Sequence, residues 1–454
     1  MRLHFIAIGG SAMHSLALAL ARRGDHVTGS DDAIFEPSRS RLEAAGLLPE
    51  SVGWYPEKIT EDLDGVVLGM HARSDNPELI KAQELGLSIW SYPEFLYATS
   101  EEKTRVVIGG SHGKTTTTAM LLHVLQQLEQ PTDYMVGAAL PQLEHTVHLT
   151  EDNAFAVFEG DEYLSSPIDL RPKFHLYQAN VAILTGMAWD HVNVFPTEAD
   201  YEKAFSDFLK SMKPGGALVY FEEDQALAQL VEAHHAPVKK FPYRTPPHRI
   251  ESGQWIWETP LGDVPLQFMG AHNLANAEGA RWLALEMGVQ EHDFYEAIAT
   301  FRGAQRRLER LASSEKRTVT LDFAHAPSKV RASSEAFAVQ HMDDNAWAVL
   351  ELHTFSSLNA SFIPQYAGAL DARLNRAIVY FDPEAVAHKK LPALDSDMVS
   401  GIFGDQVEVV TQVEDLRKML NAAPEATELL IMSSGNLGGW DVRAWAPDWV
   451  QSKG

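Results

Sequence analysis

The segment Val106–Met120 reads VVIGGSHGKTTTTAM, and it decides how the rest of the chain is interpreted. An apolar run leads into a glycine turn, and the turn leads into Gly-Lys-Thr. A strand, a glycine turn and a helix in this order form a phosphate site, because N–H groups of the turn and of the first helical turn point at the anion. Lys114 adds positive charge for the β- and γ-phosphates, and the Thr115 hydroxyl is suited to ligate Mg²⁺. We therefore predict an ATP-binding loop made of Gly110, Ser111, His112, Gly113, Lys114, Thr115 and Thr116.

This loop is a short variant of the common phosphate-binding motif. In G-x-x-x-x-G-K-[ST] the first glycine would fall where this chain has Ile108. The match is instead to G-[ST]-[HN]-G-K-T, from Gly110 to Thr115. The alternative is an ordinary strand–turn–helix without a ligand, but lysine and threonine stand where phosphate and metal need them.

Polar side chains follow two later strand-like runs. AFAVFEGDEY ends in Glu159, Asp161 and Glu162, and VAILTGMAWDHVNVF carries Asp190 and His191. The carboxyl ends of parallel strands face the ligand crevice, and Mg²⁺ is bound by one or two carboxylates together with phosphate oxygens. We predict that Glu159 and His191 join Thr115 as metal ligands. The alternatives are a solvated acidic loop and a structural histidine.

The fold class follows from a repeated pattern of apolar runs and helix-like segments. LHFIAIGG, HVTGSD, GVVLGMHA, RVVIGG, AFAVFEG, VAILTGM, WAVLELH, RAIVYFD and ELLIMSSG all resemble buried strands. Such runs alternating with helices predict α/β domains with parallel, doubly wound sheets. The polar segment ATSEEKT and the charged segment FRGAQRRLERLASSEKRT indicate two boundaries, and the stretch 238–268, rich in proline and aromatic residues, predicts β-hairpins inserted in the second domain.

Composition excludes several classes of function. The net charge of -25 over 454 residues repels nucleic acid and anionic membranes, so neither is an expected partner. The absence of cysteine rules out disulfides, thiolate catalysis and Cys-ligated metals. No run of 18 apolar residues and no signal-peptide pattern occurs, so we expect a cytoplasmic protein. The sequence leaves the oligomeric state open.

The N-terminal block contains a second nucleotide-binding pattern. AIGGSAM, from Ala7 to Met13, is a strand followed by a glycine turn, although Ala7 and Ala12 replace glycines of G-x-G-x-x-G. Asp31 follows the second strand, where an acidic residue contacts a ribose in dinucleotide-binding folds. One interpretation is therefore a dehydrogenase with an appended NTPase domain, and the other is an ATP-dependent enzyme with a second nucleotide substrate.

The ordered set of motifs resembles the Mur ligase family of amide-bond ligases. It comprises IGGSAM with TGSD, SDNPEL, GGSHGKTTTT, FEGDEY, the Asp-His after a strand, GAHNLANA, FRGAQRRLE, DFAHAPSK and SSGNLGG. The resemblance covers essentially the whole chain. It implies a Rossmann-like UDP-sugar domain over 1–99, a phosphate-loop ATPase domain with a parallel sheet and β-hairpins over 100–313, and a Rossmann-like domain for the amine substrate over 314–454.

The resemblance also implies roles for individual residues. Lys114, Glu159, His191 and Arg307 would be the catalytic residues. Asn273 and Asn276 would read adenine, Arg307 would reach the γ-phosphate, and Asp322 and His325 would lie near the ribose and phosphates. UDP would be bound by Gly9, Gly10, Ser11, Met13, Asp31, His71, Ser74 and Asn76. Without the family, Arg306, Arg307 and Arg310 would fit an ordinary charged helix face.

The implied reaction uses ATP and Mg²⁺ to join UDP-N-acetylmuramate to an amine through an acyl phosphate. The segment EGDEYLSSPIDLRPKF is similar to that of ligases using the tripeptide L-alanyl-γ-D-glutamyl-meso-diaminopimelate, so this is the predicted acceptor and peptidoglycan recycling the predicted role. The alternative acceptor is L-alanine, as in peptidoglycan biosynthesis. Departures from both patterns are His325-Ala326-Pro327, where relatives have His-His-Pro, and LELHTFSS, where the peptide ligases have a segment like LEPRSNT. Folylpolyglutamate- or cyanophycin-type ligases and a non-catalytic nucleotide-binding protein are the rival classes.

Overall fold

The structure is a computed structural model that describes residues 1–138, 140, 143–189, 194–251, 253–303, 307–342, 344–404 and 407–452. The described residues form two compact units. The first takes in those of Met1–Trp189, Asn193–Arg244 and Gly279–Phe294, and the second takes in those of Thr245–Glu278 and Tyr295–Gly454. No helix in the described ranges is long and apolar enough to span a bilayer.

The N-terminal part of the first unit is a parallel sheet in the order β2-β1-β3-β4. Its strands are β1 (Arg2–Ile6), β2 (His26–Ser30), β3 (Gly65–Leu68) and β4 (Ile89–Ser91). Its helices are α1 (Ser11–Arg23), α2 (Ser38–Ala44), α3 (Pro77–Glu84) and α4 (Tyr92–Ala98). Because β1 has β2 on one side and β3 on the other, the glycine turn that follows β1 lies at the switch point of the sheet, where α/β folds bind ligands.

The central sheet has the order β11-β10-β9-β5-β8-β6-β7 and is parallel apart from β7. Its strands are β5 (Thr104–Gly109), β6 (Asp133–Met135), β7 (Val147–His148), β8 (Phe155–Glu159), β9 (Val181–Leu184), β10 (Ala217–Phe221) and β11 (Lys239–Tyr243). Helices α5 (Lys114–Gln127), α6 (Lys173–Leu176), α7 (Glu198–Ser211) and α8 (Gln225–Ala233) connect them. Strand β5 pairs with both β8 and β9, so the loop after β5 emerges between the ends of these two strands.

The hairpin prediction for 238–268 is confirmed only in part. Strands β12 (His248–Glu251), β13 (Gln254–Thr259) and β14 (Gly262–Pro265) form an antiparallel sheet. The segment KKFPY was wrongly assigned to the hairpins, because it forms β11 and pairs in parallel with β10. Pro242 is tolerated there because β11 is the edge strand of its sheet. Two helices follow the hairpins, α9 (Ala271–Glu286) and α10 (Glu291–Ile298).

The C-terminal sheet is mixed, in the order β15-β16-β20-β17-β18-β19. Its strands are β15 (Glu309–Ser313), β16 (Thr318–Asp322), β17 (Asn345–Leu352), β18 (Arg376–Phe381), β19 (Val407–Val410) and β20 (Thr427–Met432). Its helices are α11 (Pro327–Gln340), α12 (Pro383–His388), α13 (Ser396–Phe403), α14 (Val413–Asn421) and α15 (Val442–Gln451). Strand β15 is antiparallel to β16, and the other pairings are parallel. Arg310 lies in β15, so the charged-helix interpretation is wrong for this residue.

Aromatic packing fixes helix α7. Phe174 stacks on Phe208 of α7 with ring centroids 4.6 Å apart, and Tyr201 packs against Phe195 and Phe205. All five side chains are buried. Such clusters stabilise beyond their buried area when rings are offset or edge-on, so the Tyr201 hydroxyl is held at a defined position, from which it donates to Glu162.

Candidate active site

The turn between β5 and α5 requires glycine at position 110. The backbone of Gly110 has φ +132°, and a Cβ there would lie 2.3 Å from Thr185 Oγ1. Thr185 and Gly186 follow β9, and Gly186 accepts a hydrogen bond from the Ser111 amide at 3.0 Å. The two residues that follow β9 therefore pack directly against the loop.

Helix α5 begins immediately after this turn. Its N-cap is Gly113, with φ 77° and no capping side chain, and the Gly113 carbonyl accepts from the Thr117 amide at 2.8 Å. Ser111 is buried, and its hydroxyl accepts from the Ala188 amide at 2.8 Å. A helix N-terminus without a capping side chain is suited to an anion, because its first N–H groups lack partners within the helix.

The ammonium group of Lys114 is held by a buried acid. Lys114 Nζ donates to Glu162 Oε2 at 2.5 Å and to the Gly110 carbonyl at 2.6 Å. Glu162 is fully buried and also accepts from the Tyr201 hydroxyl at 3.1 Å. Burial lowers the pKa of Lys114, but the charges of Glu162 and Asp161 outweigh it, so the pKa is raised. Lys114 is therefore a fixed cation at the mouth of the loop.

Glu159 ends β8 and faces the first turn of α5. It is 8% exposed, accepts from the Thr115 hydroxyl at 2.7 Å and accepts from the Gly137 amide at 2.9 Å. A hydroxyl and a carboxylate oxygen at this distance are the hard donors that Mg²⁺ takes. Asp161, two residues on, pairs with Lys173 at 2.7 Å. Asp190 and His191, predicted to reach the same edge, lie outside the described residues.

In the N-terminal turn, Asp31 organises the backbone. Its carboxylate accepts from the Gly9 amide at 2.7 Å and from the Ala33 amide at 3.3 Å. Asp31 is buried, and this burial together with neighbouring Asp32 raises its pKa against the effect of the two amides. A Cβ on Gly9 would lie 2.9 Å from Asp31 Oδ2, so a larger residue there would displace the carboxylate.

The other residues predicted to bind UDP differ in exposure. Met13 is buried, whereas Ser11, His71 and Ser74 are exposed. Asn76 is buried, and its side-chain oxygen caps α3 by accepting from the amides of Glu78 and Leu79 at 2.9 and 3.2 Å. Gly10 is the N-cap of α1.

Two asparagines predicted to read adenine form a buried chain of hydrogen bonds in α9. Asn276 donates to Asn273 Oδ1 at 3.4 Å, and Asn273 donates to the Met269 carbonyl at 2.8 Å. Burial lowers the pKa of neighbouring His272 despite the opposing charge of Asp322. These side chains belong to the second unit, whereas the phosphate loop belongs to the first.

Arg307, Asp322 and His325 gather around Phe323. The Arg307 guanidinium lies 4.9 Å from the centre of the Phe323 ring, and His325 Nδ1 contacts the Phe323 carbonyl at 2.8 Å. Asp322 is buried and accepts from the Leu308 amide at 3.1 Å and from the Ser333 hydroxyl. These three predicted residues are therefore neighbours in the structure.

Sequence reasoning missed the partner of Lys114. It named Glu162 only as one of three acids after β8, although EGDEY places Glu159 and Glu162 three residues apart. It also missed Thr185 and Gly186, which pack against the loop. Glu162 and Thr185 reach the loop because β8 and β9 pair with β5 on either side. A single sequence does not give this strand order, so neither partner could be identified from it.

Comparison with known proteins identifies the family. The models for the Mur ligase family catalytic domain and the Mur ligase middle domain match residues 2–104 and 108–284. A UDP-N-acetylmuramate–L-alanine ligase from Desulfitobacterium hafniense (strain Y51) is 30% identical over 376 residues, which cover 78% of this chain and 79% of the relative. The chain belongs to the Mur ligase family. It is thus an ATP-dependent enzyme that forms an amide bond in peptidoglycan synthesis or recycling, and the dehydrogenase interpretation is wrong.

Solved structures of Mur ligases share the fold. A murein peptide ligase from Psychrobacter arcticus 273-4 matches with a TM-score of 0.65 and 23% identity over 100% of both chains. A UDP-N-acetylmuramate–alanine ligase from Thermotoga maritima matches with a TM-score of 0.71 and 23% identity over 97% of both chains. The predicted three-domain Mur ligase fold is confirmed, and the domain boundaries at 99 and 313 stay predictions.

Proposed function

We propose that this Mur ligase joins the lactyl carboxylate of UDP-N-acetylmuramate to the amino group of L-alanine, with ATP and Mg²⁺. The observation that carries the ligase chemistry is the phosphate loop, in which Lys114 and Thr115 face the acids Glu162 and Glu159. The choice of L-alanine rests on the curated relatives. The relative that is 30% identical over most of both chains is a UDP-N-acetylmuramate–L-alanine ligase. The predicted tripeptide acceptor becomes the second candidate.

The reaction has two steps. A lactyl carboxylate oxygen attacks the γ-phosphorus of ATP, the bond to the β-phosphate oxygen breaks, and ADP leaves with the electron pair. The acceptor amine then attacks the acyl carbon, phosphate leaves, and the amine proton passes to phosphate or water. In both steps the protein mainly positions anions and neutralises their charge. On this proposal, Lys114 exchanges Glu162 for a phosphate oxygen when ATP binds.

The donor set beside the loop fits Mg²⁺. Thr115 and Glu159 would hold the ion, and His191 is retained from the resemblance as a further proposed ligand. When bound, Mg²⁺ supplies positive charge that lets the carboxylate approach the triphosphate. The amides after β5 and Lys114 hold the phosphates themselves. The remaining ATP contacts proposed from the resemblance are Asn273, Asn276, Arg307, Asp322 and His325.

The UDP moiety is proposed to occupy the switch point of the N-terminal sheet. Gly9 is held by Asp31, and Gly10 opens α1, so this turn presents a helix N-terminus to the diphosphate. The other proposed contacts are Ser11, Met13, His71, Ser74 and Asn76. Exposed Ser11, His71 and Ser74 are the polar groups of this set that a ligand can reach.

One observation favours the tripeptide as second candidate. Tyr163 stands where the alanine ligases typically have serine, and Lys173 Nζ lies 5.8 Å from the centre of its ring. The segment LELHTFSS, in which His353 Nδ1 lies 3.6 Å from the buried carboxylate of Glu351, departs from the LEPRSNT-like pattern of the peptide ligases and does not favour the tripeptide. The acceptor therefore has to be measured.

The deciding experiment measures phosphate release from ATP with Mg²⁺ and UDP-N-acetylmuramate, with L-alanine or the tripeptide as acceptor. Turnover with L-alanine alone would support the proposal, and turnover with tripeptide alone would replace it with the second candidate. Lys114→Met is the control for background ATP hydrolysis. Absence of turnover with both acceptors would contradict UDP-N-acetylmuramate as the donor.

A further inference from the structure

A group of metal-ligating side chains lies at the edge of the C-terminal sheet where β17 and β20 begin. His341 follows the last residue of α11, Asp344 precedes β17, and Glu428 is the second residue of β20. In the described part of the chain, one donor atom from each of these three lies within 4.8 Å of the others. None of the three is among the residues proposed to contact ATP, Mg²⁺ or UDP.

The distances between the donor atoms suit a small divalent cation. His341 Nδ1 lies 3.0 Å from Asp344 Oδ2 and 3.8 Å from Glu428 Oε2. Zn²⁺ binds nitrogen and oxygen at about 2.0–2.2 Å, and two such bonds at roughly tetrahedral or right angles separate their donors by about 3.0–3.5 Å. The two distances from the histidine nitrogen therefore lie within about 0.3 Å of the range for a bound ion, and the three donor atoms all lie within 4.8 Å of one another.

A protonated histidine alone does not account for the arrangement. Nδ1 carries a single hydrogen, and at 3.0 Å it serves Asp344. Among the described residues, Glu428 Oε2 has no hydrogen-bond partner although the atom is buried. A buried carboxylate oxygen without a partner is costly, and a cation that accepts several ligands would satisfy it together with the other two groups.

The local structure holds the ligands in place. The His341 ring packs on Phe337 with centroids 4.5 Å apart, and the amide of Asp344 donates to the His341 carbonyl at 3.1 Å. The pairing of Ala346 with Glu428 fixes the register between β17 and β20. The three groups are therefore positioned by a helix end, a turn and a strand.

We propose that His341, Asp344 and Glu428 form a binding site for a divalent first-row transition metal, with Zn²⁺ the best fit. One imidazole and two carboxylates suit Zn²⁺ and Mn²⁺ better than Ca²⁺ or Mg²⁺, which prefer oxygen ligands alone. The ion ties the end of α11 to the first residues of β17 and β20, and its role is structural. The inference is independent of the acceptor and of the donor sugar.

The test is a titration of the full-length, metal-free protein with Zn²⁺ in excess Mg²⁺, measured by calorimetry. Variants Glu428→Gln and His341→Ala remove ligands, and Glu428→Gln keeps the shape of its side chain. His388→Ala is the matched control, because His388 is an exposed histidine of the same unit. Circular dichroism shows that each variant is folded before it is titrated.

We expect one Zn²⁺ per chain that is lost in His341→Ala and Glu428→Gln and kept in His388→Ala. The loss of a direct ligand should exceed the roughly 10–100-fold that loss of an outer partner costs. Melting temperature should rise with Zn²⁺ in the wild type and in His388→Ala only. Binding that is equal in all four proteins, or absent from the wild type, would overturn the proposal.

Discussion

Two substitutions in the ion pair between Lys114 and Glu162 should have opposite effects on ATP affinity. Lys114→Met removes the cation that we propose binds phosphate, and it leaves the Glu162 side chain, which is 1% exposed, without its ion-pair partner. Glu162→Gln keeps the shape of the side chain and an oxygen for Lys114 Nζ, which also retains the Gly110 carbonyl at 2.6 Å. The first variant leaves a buried acid unpaired, and the second removes the charge that, on the proposed function, competes with ATP for Lys114.

The magnitudes follow from what each variant leaves behind. Removing one partner of a buried ion pair costs about 3–5 kcal/mol. We expect about 3 kcal/mol for Lys114→Met, the low end of that range, because the Tyr201 hydroxyl still donates to Glu162. For Glu162→Gln we expect about 1–2 kcal/mol, because a hydrogen bond to the lysine persists. The double variant Lys114→Met/Glu162→Gln leaves neither charge of the pair. Its loss of unfolding free energy should therefore be smaller than the sum of the two single losses by about 1–2 kcal/mol.

The assay is equilibrium urea denaturation of the four proteins, combined with calorimetric titration of ATP. Lys114→Met should lose ATP affinity, whereas Glu162→Gln should keep it or gain up to about tenfold, or 1.4 kcal/mol. Losses in stability that add to within about 0.5 kcal/mol would refute the coupling of the pair. Loss of ATP affinity in Glu162→Gln as large as in Lys114→Met would refute the exchange of Lys114 between Glu162 and phosphate.

Two further predictions concern the glycine turn after β5 and the buried pair of His4 in β1 and Glu78 in α3. Gly110→Ala should weaken ATP binding, measured by calorimetry, far more than the control Gly215→Ala. Both glycines have positive φ, but a Cβ at position 110 would lie 2.3 Å from Thr185, whereas a Cβ at position 215 would have nothing within 4 Å. Equal effects of the two substitutions would contradict the turn geometry. Burial raises the pKa of Glu78, but the hydrogen bonds from His4 at 3.3 Å and from the Tyr55 amide at 2.7 Å outweigh it, so its pKa is lowered. This contribution to stability is present at pH values above the unfolded-state pKa of about 4.3, and it is lost as the pH falls through the lower pKa of the folded state. Glu78→Gln should therefore flatten the acid side of the profile of melting temperature against pH. An unchanged acid side would count against the pair.

Much of the fold was available from the sequence, because buried parallel strands are continuous apolar runs. The segments LHFIAIGG and RVVIGG were predicted as strands and overlap β1 and β5 in all but the first residue of each strand, and RAIVYFD contains β18. Helix α1 ends at Arg23, and Gly24 follows it in the left-handed conformation that glycine adopts readily after a helix. The prediction of a hairpin at KKFPY was wrong, because it relied on the proline and the aromatic residues. An edge strand of a parallel sheet accepts proline equally well.

The chemistry of the candidate site was also readable in part. Gly110, Lys114 and Thr115 are local in sequence, and each has a physical reason to stand where it does in a phosphate loop. Glu159 was recognised because it ends an apolar run, and the structure places its carboxylate 2.7 Å from the Thr115 hydroxyl. Asn76 was assigned to UDP from its motif, and only the structure shows that its oxygen caps α3.

The sequence by itself therefore determined the strands, the phosphate loop and the family, since these depend on residues that are neighbours in the chain. The tertiary structure decided which acid holds Lys114, because Glu162 is 48 residues away and reaches the loop through the pairing of β5 with β8. It also placed Thr185 beneath Gly110 and brought Glu428 to His341. Partners of this kind are set by strand order and register, which depend on the packing of the whole sheet and leave no local signal in the sequence.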